Sequence, residues 1–310
     1  FQLPIGAIMR TQILSVVGLL AFAVVACDKT PPPQENAPAA SSSSTSAQVA
    51  PKVQPVSVSG SSALQPLVNA AKEKYETAHA GASIEVSAGG SKKGIADVAS
   101  GAVQIGDSDI AAPEDLKGQL VDHKVAVVGF AAMANKGDFN AKVKSISMKD
   151  LGRIFTGEVK NWKDIGGTNQ PIVIINRAPA SGTRSVFGSI VLGGDKFVEG
   201  QTEDNSGALV AKLKQTKGAI SYLALSFKDD ELVTLSIKGA DAGVIDPTDA
   251  NIESGEYPIW SYEHMFTKGE ASGQAKAFID YILSAEFQKS QLPSVKGFIP
   301  VTEMKVSHAG

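Results

Sequence analysis

A single cysteine, Cys27, stands in a chain of 310 residues. That excludes an intrachain disulfide and any metal centre built on several thiolates. Aromatic residues make up only 6% and do not cluster along the chain, which speaks against a surface that stacks sugars or bases. The histidines are His79, His123, His264 and His308, scattered and without the His-Glu-x-x-His spacing of a metallohydrolase. No Gly-x-Ser-x-Gly elbow surrounds any serine. Lys and Arg number 29 against 32 Asp and Glu, for a net charge of −3 and a pI near 5.9. The basic excess of a nucleic-acid binder is missing. With 43% hydrophobic residues and a mean hydropathy of +0.01, the composition is that of a globular protein of one large or two ordinary domains.

No apolar run is long enough to read as a membrane span. Residues 13–25 are mostly apolar and follow Met9-Arg10, the pattern of a secretory signal with its true start at Met9. Val24-Val25-Ala26 ends directly at Cys27, which resembles a bacterial lipobox. Cys27 is then the lipidated mature N-terminus, and the protein is expected outside the cytoplasm on a lipid anchor. Residues 28–51 are Pro, Ala, Ser and Thr with few large apolar side chains. Such a segment cannot bury a core and reads as a flexible tether, spanning roughly 25–30 Å as a coil.

From residue 56 onward strand-like and helix-like segments alternate. Strands are expected at residues 56–59, 83–86, 124–133, 171–175 and 219–225, and helices at 62–77, 92–99, 148–155 and 185–192. Ser62 with Gln65 fits a capping box opening the first helix. The alternation predicts an α/β architecture with substantial parallel sheet, whose ligand lies beyond the carboxyl ends of the strands.

Three of the strand-to-helix joints carry glycine with a small hydroxyl residue: Gly60-Ser61-Ser62, Gly89-Gly90-Ser91 and Ala180-Ser181-Gly182-Thr183. A helix N-terminus has unpaired N–H groups and the positive end of the dipole, so each joint can hold an anion. One such joint is ordinarily just a serine N-cap. Three, together with Arg177 and Asp109, suggest one oxyanion gripped from several sides, with the guanidinium fork of Arg177 binding two oxygens at once.

Asp109 is the residue that selects among anions. A carboxylate beside a bound anion is repulsive unless the ligand carries a proton. Phosphate near neutral pH still has a hydroxyl to donate and sulfate has none, so an acceptor here favours the first by as much as about 10⁴–10⁵. The bland alternative is that Asp109 or Asp107 only caps a turn before Pro113.

At this point the residues resemble a known family, the phosphate-binding proteins of the phosphate-specific ABC transporter. The resemblance lies in residues 60–67 (Gly-Ser-Ser-Ala-Leu-Gln-Pro-Leu), Gly90-Ser91, residues 105–109 (Ile-Gly-Asp-Ser-Asp), residues 176–183 (Asn-Arg-Ala-Pro-Ala-Ser-Gly-Thr) and residues 260–265 (Trp-Ser-Tyr-Glu-His-Met). It runs in order over about residues 53–306. It implies a two-lobed periplasmic-binding-protein fold of type II, each lobe a mixed sheet flanked by helices. Lobe I is expected at residues 52–129 and 226–310, and lobe II at 130–225. It also implies that Ser62, the Ala63 amide, Ser91, Asp109, Arg177, Ser181, the Gly182 amide and Thr183 bind phosphate, with Ser61 and Arg184 as helpers. Some family members have an acidic residue two positions after the arginine; here Pro179 stands there, which puts the orientation of Arg177 in question. The implied protein is a monomeric lipoprotein that passes phosphate to a permease, with no cofactor, metal or nucleic acid and no enzymatic activity. A site for sulfate or molybdate, and a phosphate-releasing hydrolase, are the alternatives.

Overall fold

The computed structural model describes residues 54–137, 143–239, 241 and 243–307. The expected signal, Cys27 and the tether lie outside these residues. The chain opens with β1 (Val56–Gly60), α1 (Gln65–Ala78), β2 (Ile84–Ala88), α2 (Ser91–Ser100) and β3 (Ile105–Ser108). There follow β4 (Leu120–Asn135), β5 (Ser145–Ile146), α3 (Met148–Phe155), β6 (Val173–Arg177), α4 (Gly182–Phe187), β7 (Gln201–Glu203), α5 (Ser206–Gln215) and β8 (Ala219–Ala224). The last part holds β9 (Leu232–Thr234), β10 (Ser236–Lys238), β11 (Val244–Ile245), α6 (Asp249–Glu253), β12 (Trp260–Lys268), α7 (Gly273–Leu283) and β13 (Phe298–Ile299).

One curled sheet runs β2-β1-β3-β12-β4-β8-β6-β7, with β13 and β9 also pairing to β4. β1 lies parallel to both β2 and β3, and β6 lies parallel to both β7 and β8. The long strands β4 and β12 run antiparallel to each other between these groups. The sheet is therefore mixed, as expected of each lobe. β4 changes partners along its length: up to Gly129 it pairs with β12, and from Phe130 to Ala134 with β8. β9 pairs with the end of β4, and β10 pairs with β5. Residues 232–238 thus stay with the second group of strands, and the strand that rejoins the first group is β12, not the segment after Leu225. Residues 51–310 form a single compact unit.

The core follows from the apolar middle of β4. Val125 to Val128 and Phe130 to Ala134 are all buried, as in a strand covered on both faces. Leu67, Val68, Ala71 and Tyr75 of α1 bury one helix face, and Phe278, Ile279 and Ile282 of α7 bury another. Each of the Leu, Val, Ile and Phe side chains among them contributes about 1.5–3 kcal/mol. Aromatic residues scattered in sequence do gather in space: Tyr222 stacks on Phe187 at 4.6 Å and meets Phe155 at 5.3 Å and Phe197 at 5.0 Å. This cluster is packing beneath β6 and α4, because Phe155, Phe187 and Tyr222 are buried. Among the described residues, no helix is long and apolar enough to cross a membrane.

Candidate functional site

Five strands, from two separate parallel groups, deliver their carboxyl ends to one place. β1 ends at Gly60-Ser61-Ser62, β2 leads to Gly89-Gly90-Ser91, β3 leads to Asp109, β6 ends at Arg177, and β7 leads to Asn205-Ser206. The convergence depends on glycine. Gly60 has φ +139°, and a Cβ there would stand 2.0 Å from the Asp107 carbonyl oxygen. Gly90, with φ +85°, lets the turn before α2 approach Ala180, whose oxygen accepts from Lys92 N at 3.1 Å. That contact joins the second and third Ser/Gly joints directly.

Asp109 is the hub. Ser61 Oγ donates to its Oδ1, Thr183 Oγ1 donates to its Oδ2 at 2.8 Å, and its own amide donates to Ser91 Oγ at 2.9 Å. Ser91 therefore keeps its hydroxyl hydrogen for another acceptor. Gly182 lies against the same residues, so close that an added Cβ would stand 2.1 Å from Ser91 Oγ and 2.9 Å from Asp109 Cβ. Ser181 caps α4, accepting from Arg184 N at 3.2 Å. The first amides of α4, at Gly182 and Thr183, have no partner within the helix by their position.

The second knot is cationic. Arg177 donates from Nη2 to Ser62 Oγ at 3.0 Å and from Nη1 to Ser206 Oγ at 3.3 Å. The Ser206 amide also reaches Ser62 Oγ, at 3.1 Å. Arg177 has 1% of its surface exposed, and its Nε is buried with no partner. Burial draws the guanidinium down from its ordinary pKa, opposed by the negative field of Asp109 first among its neighbours. Behind it, the Arg177 amide donates to the Tyr222 hydroxyl at 3.2 Å. Burial pushes that phenol up to about 12.

All eight residues expected to bind are thus brought together: Ser62, Ala63, Ser91, Asp109, Arg177, Ser181, Gly182 and Thr183, each buried. Two details differ from expectation. The capping box does not form: α1 begins at Gln65, and it is Ser61, not Ser62, whose Oγ accepts the Ala63 and Leu64 amides at 3.0 and 3.3 Å. Ser62 is released from capping to meet Arg177. Arg184 pairs instead with Asp195 at 2.7 Å and lies over the Phe197 ring; its Nη1 also donates to the Arg177 carbonyl at 3.0 Å, buttressing β6. Arg177 donates to the hydroxyls of Ser62 and Ser206.

Sequence reasoning missed Ser206, which is fully buried and opens α5 behind the Asn205 cap. The signal was present: Asn205-Ser206-Gly207 is a fourth joint of small polar residues and glycine before a helix. A cavity of about 810 Å³ bounded by Leu225, Pro247, Leu283 and Phe298 includes none of these residues.

This arrangement, hydroxyls and helix N-termini around one arginine and one carboxylate, is suited to an oxyanion bearing a proton. Residues 42–286 match the family described as the PBP superfamily domain. The phosphate-binding protein PstS of Bacillus subtilis (strain 168) is 49% identical over 257 residues, covering 81% of this chain and 82% of that protein. A Clostridium perfringens structure, described as a phosphate ABC transporter substrate-binding protein with bound phosphate, superposes with a TM-score of 0.73 at 29% identity, over 80% of this chain and all of the other. An ABC-type phosphate transport receptor from Vibrio cholerae shares the fold, with a TM-score of 0.63 at 22% identity over 80% of this chain. These relatives are binding proteins rather than enzymes. From the match across most of its length and the shared fold, the chain belongs to the phosphate-binding proteins of the PBP superfamily.

Proposed function

We propose that this protein captures inorganic phosphate outside the membrane and delivers it to an ABC permease, acting as a monomer tethered by a lipid on Cys27. The reading rests chiefly on Asp109, a buried carboxylate that accepts from the hydroxyls of Ser61 and Thr183 while its own amide donates to Ser91 Oγ. Such an acceptor makes sense beside an anion that still owns a hydrogen. Arg177, Ser62, Ser91, Ser181 and the amides of Gly182 and Thr183 would supply donors to the remaining oxygens, with Ser206 added to that set; the Thr183 hydroxyl is given to Asp109 and the Ala63 amide to Ser61 Oγ. The Bacillus subtilis relative's name and the phosphate bound in the Clostridium perfringens structure support the same ligand.

Two lobes would meet at the site, one carrying β1 to β3 and β12, the other β6 to β8. One crossing of the chain between them would lie where β4 changes partners at Gly129 and Phe130, and the other in the passage into β12. Closing the lobes removes the anion from water, and each charge-assisted bond strengthens in the drier cleft.

Calorimetric titration of the purified protein with phosphate, then with phosphate in excess sulfate, tests the assignment. Saturable binding that sulfate leaves intact is the expected result. Displacement by sulfate, or no heat with millimolar phosphate, would refute it.

A further inference from the structure

We infer that Glu263 is a positioning residue for the anion site: a neutral carboxylic acid whose proton bonds the Asp109 carboxylate and holds it as an acceptor for the ligand's hydroxyl. This deepens the phosphate reading and rests on it for the identity of the ligand.

The placement is set by sheet register. β12 runs antiparallel to β3 with Met265 opposite Asp107 and His264 opposite Ser108. One residue further, Glu263 faces Asp109, and alternation along β3 puts Asp107 on the same side. Ser261 Oγ anchors the crossing by donating to the Asp109 carbonyl at 2.8 Å. The pairing of β12 with β4 shifts between Glu263 and His264, a bulge of the kind that re-aims a side chain beside a functional site. His264 turns the other way and meets Asp122 at 2.8 Å.

Glu263 is wholly buried and Asp107 and Asp109 are 1% exposed. Neither Glu263 oxygen receives a hydrogen from any donor, and one Asp107 oxygen is likewise unmet. In the sheet register Asp109 is the next residue after the paired Ser108, opposite Glu263, and its charge is the first among those that act on the Glu263 carboxyl. Two carboxyls can bond only with a proton between them, and like charges directly opposite in a sheet repel. A buried cation could serve the same end, but these side chains are not arranged as metal ligands. Burial first, then Asp109 and Asp107, raises Glu263 well above the ordinary carboxyl range, and burial then Asp109 does the same for Asp107. Arg177 is the nearby cation that shares a charge interaction with Asp109.

The proton belongs on Glu263 because Asp109 already accepts from Ser61 and Thr183. A carboxylate offers about four lone-pair sites. Ser61 and Thr183 fill two, Glu263 a third, and the fourth is left for the ligand's hydroxyl. With every site taken by a donor, Asp109 has nothing to offer a proton-free anion but repulsion.

The test compares Glu263→Gln, which keeps a neutral donor, with Glu263→Leu, which does not, beside wild type. Infrared difference spectra near neutral pH, without ligand, should show a protonated-carboxyl band present in wild type and lost in E263Q. Phosphate affinity in E263L should fall about tenfold or more, as for loss of a bond to a charged group, and its preference over sulfate should narrow, while E263Q recovers most of both. Equal losses in the two variants, no loss in either, or no band in the difference spectrum would overturn the inference. Should wild type itself ignore phosphate, the ligand assignment falls, and the infrared comparison still decides where the proton sits.

Discussion

Arg177 and Ser62 stand 115 residues apart in sequence, and the arginine's Nη2 donates to the serine Oγ at 3.0 Å. Ser206, from a third segment, accepts from the same guanidinium. A long cation is thereby fixed between hydroxyls with its Nε left unmet, in an interior where unmet donors are strongly disfavoured.

Replacing Arg177 by Ala should weaken phosphate by about 1.5–3 kcal/mol and weaken other oxyanions alongside it. Arg177→Lys should restore little, because a point charge cannot reach two acceptors as a planar fork does. Calorimetry on both variants checks this; unaltered affinity in the alanine variant would remove Arg177 from the site.

Asp109→Asn should act differently in kind. Its amide can donate where the carboxylate only accepts, so phosphate weakens and sulfate gains. The wild-type preference, expected to approach roughly 10⁴–10⁵, should contract by at least an order of magnitude. Competition titrations read the ratio, and an unchanged ratio would deny Asp109 its selecting role.

Gly182→Ala adds a carbon where Ser91 Oγ stands 2.1 Å away. Its backbone is ordinary helical N-terminus, so the effect is steric rather than torsional. Overpacking of this sort costs about 1–3 kcal/mol, and it falls on the joint between α2 and α4. Phosphate affinity and the melting temperature measured with phosphate should both drop; a variant as tight as wild type would show that these segments separate in the bound form.

Ser206→Ala leaves Arg177 Nη1 without its acceptor and Ser62 without a neighbouring hydroxyl. Phosphate should bind about three- to tenfold more weakly, the size of one modest hydrogen bond. Titration of this variant beside Arg177→Ala decides whether Ser206 belongs to the site.

Alkaline stability should carry the mark of Tyr222. Its phenol is raised from 10.0 to about 12 because burial disfavours the charged form. Its contribution is complete below pH about 10. Above that the unfolded chain ionises first, and about 2–3 kcal/mol is lost as pH rises towards 12. Denaturant unfolding across this range should show the loss, and Tyr222→Phe should flatten it in part; Tyr257, also raised by burial, keeps its own share.

Much of this was legible in the chain. Strand β1, helix α3 and the apolar run of β4 stand where hydrophobic spacing puts them, since periodicity reports directly which faces are buried. The Ser/Gly joints were visible because helix N-termini favour those residue types. Less visible was which of Ser61 and Ser62 caps α1. Capping depends on where the first helical turn starts, and α1 starts at Gln65 with Ser61 Oγ meeting the Ala63 and Leu64 amides. The helix expected at 185–192 is α4 at 182–187 followed by one wide turn over residues 188–192.

The sequence alone located several of the strands and helices, among them β1, α3 and the core of β4, and three of the joints that could present donors to an anion, because these depend on local spacing and backbone freedom. Only the tertiary structure decided that Ser206 joins Arg177, that Glu263 faces Asp109, and that Arg184 turns to Asp195. Those relations come from the register of β12 on β3 and from β7 beside β6. Pairings of distant strands arise when many buried contacts are satisfied together, and no window of neighbouring residues encodes them.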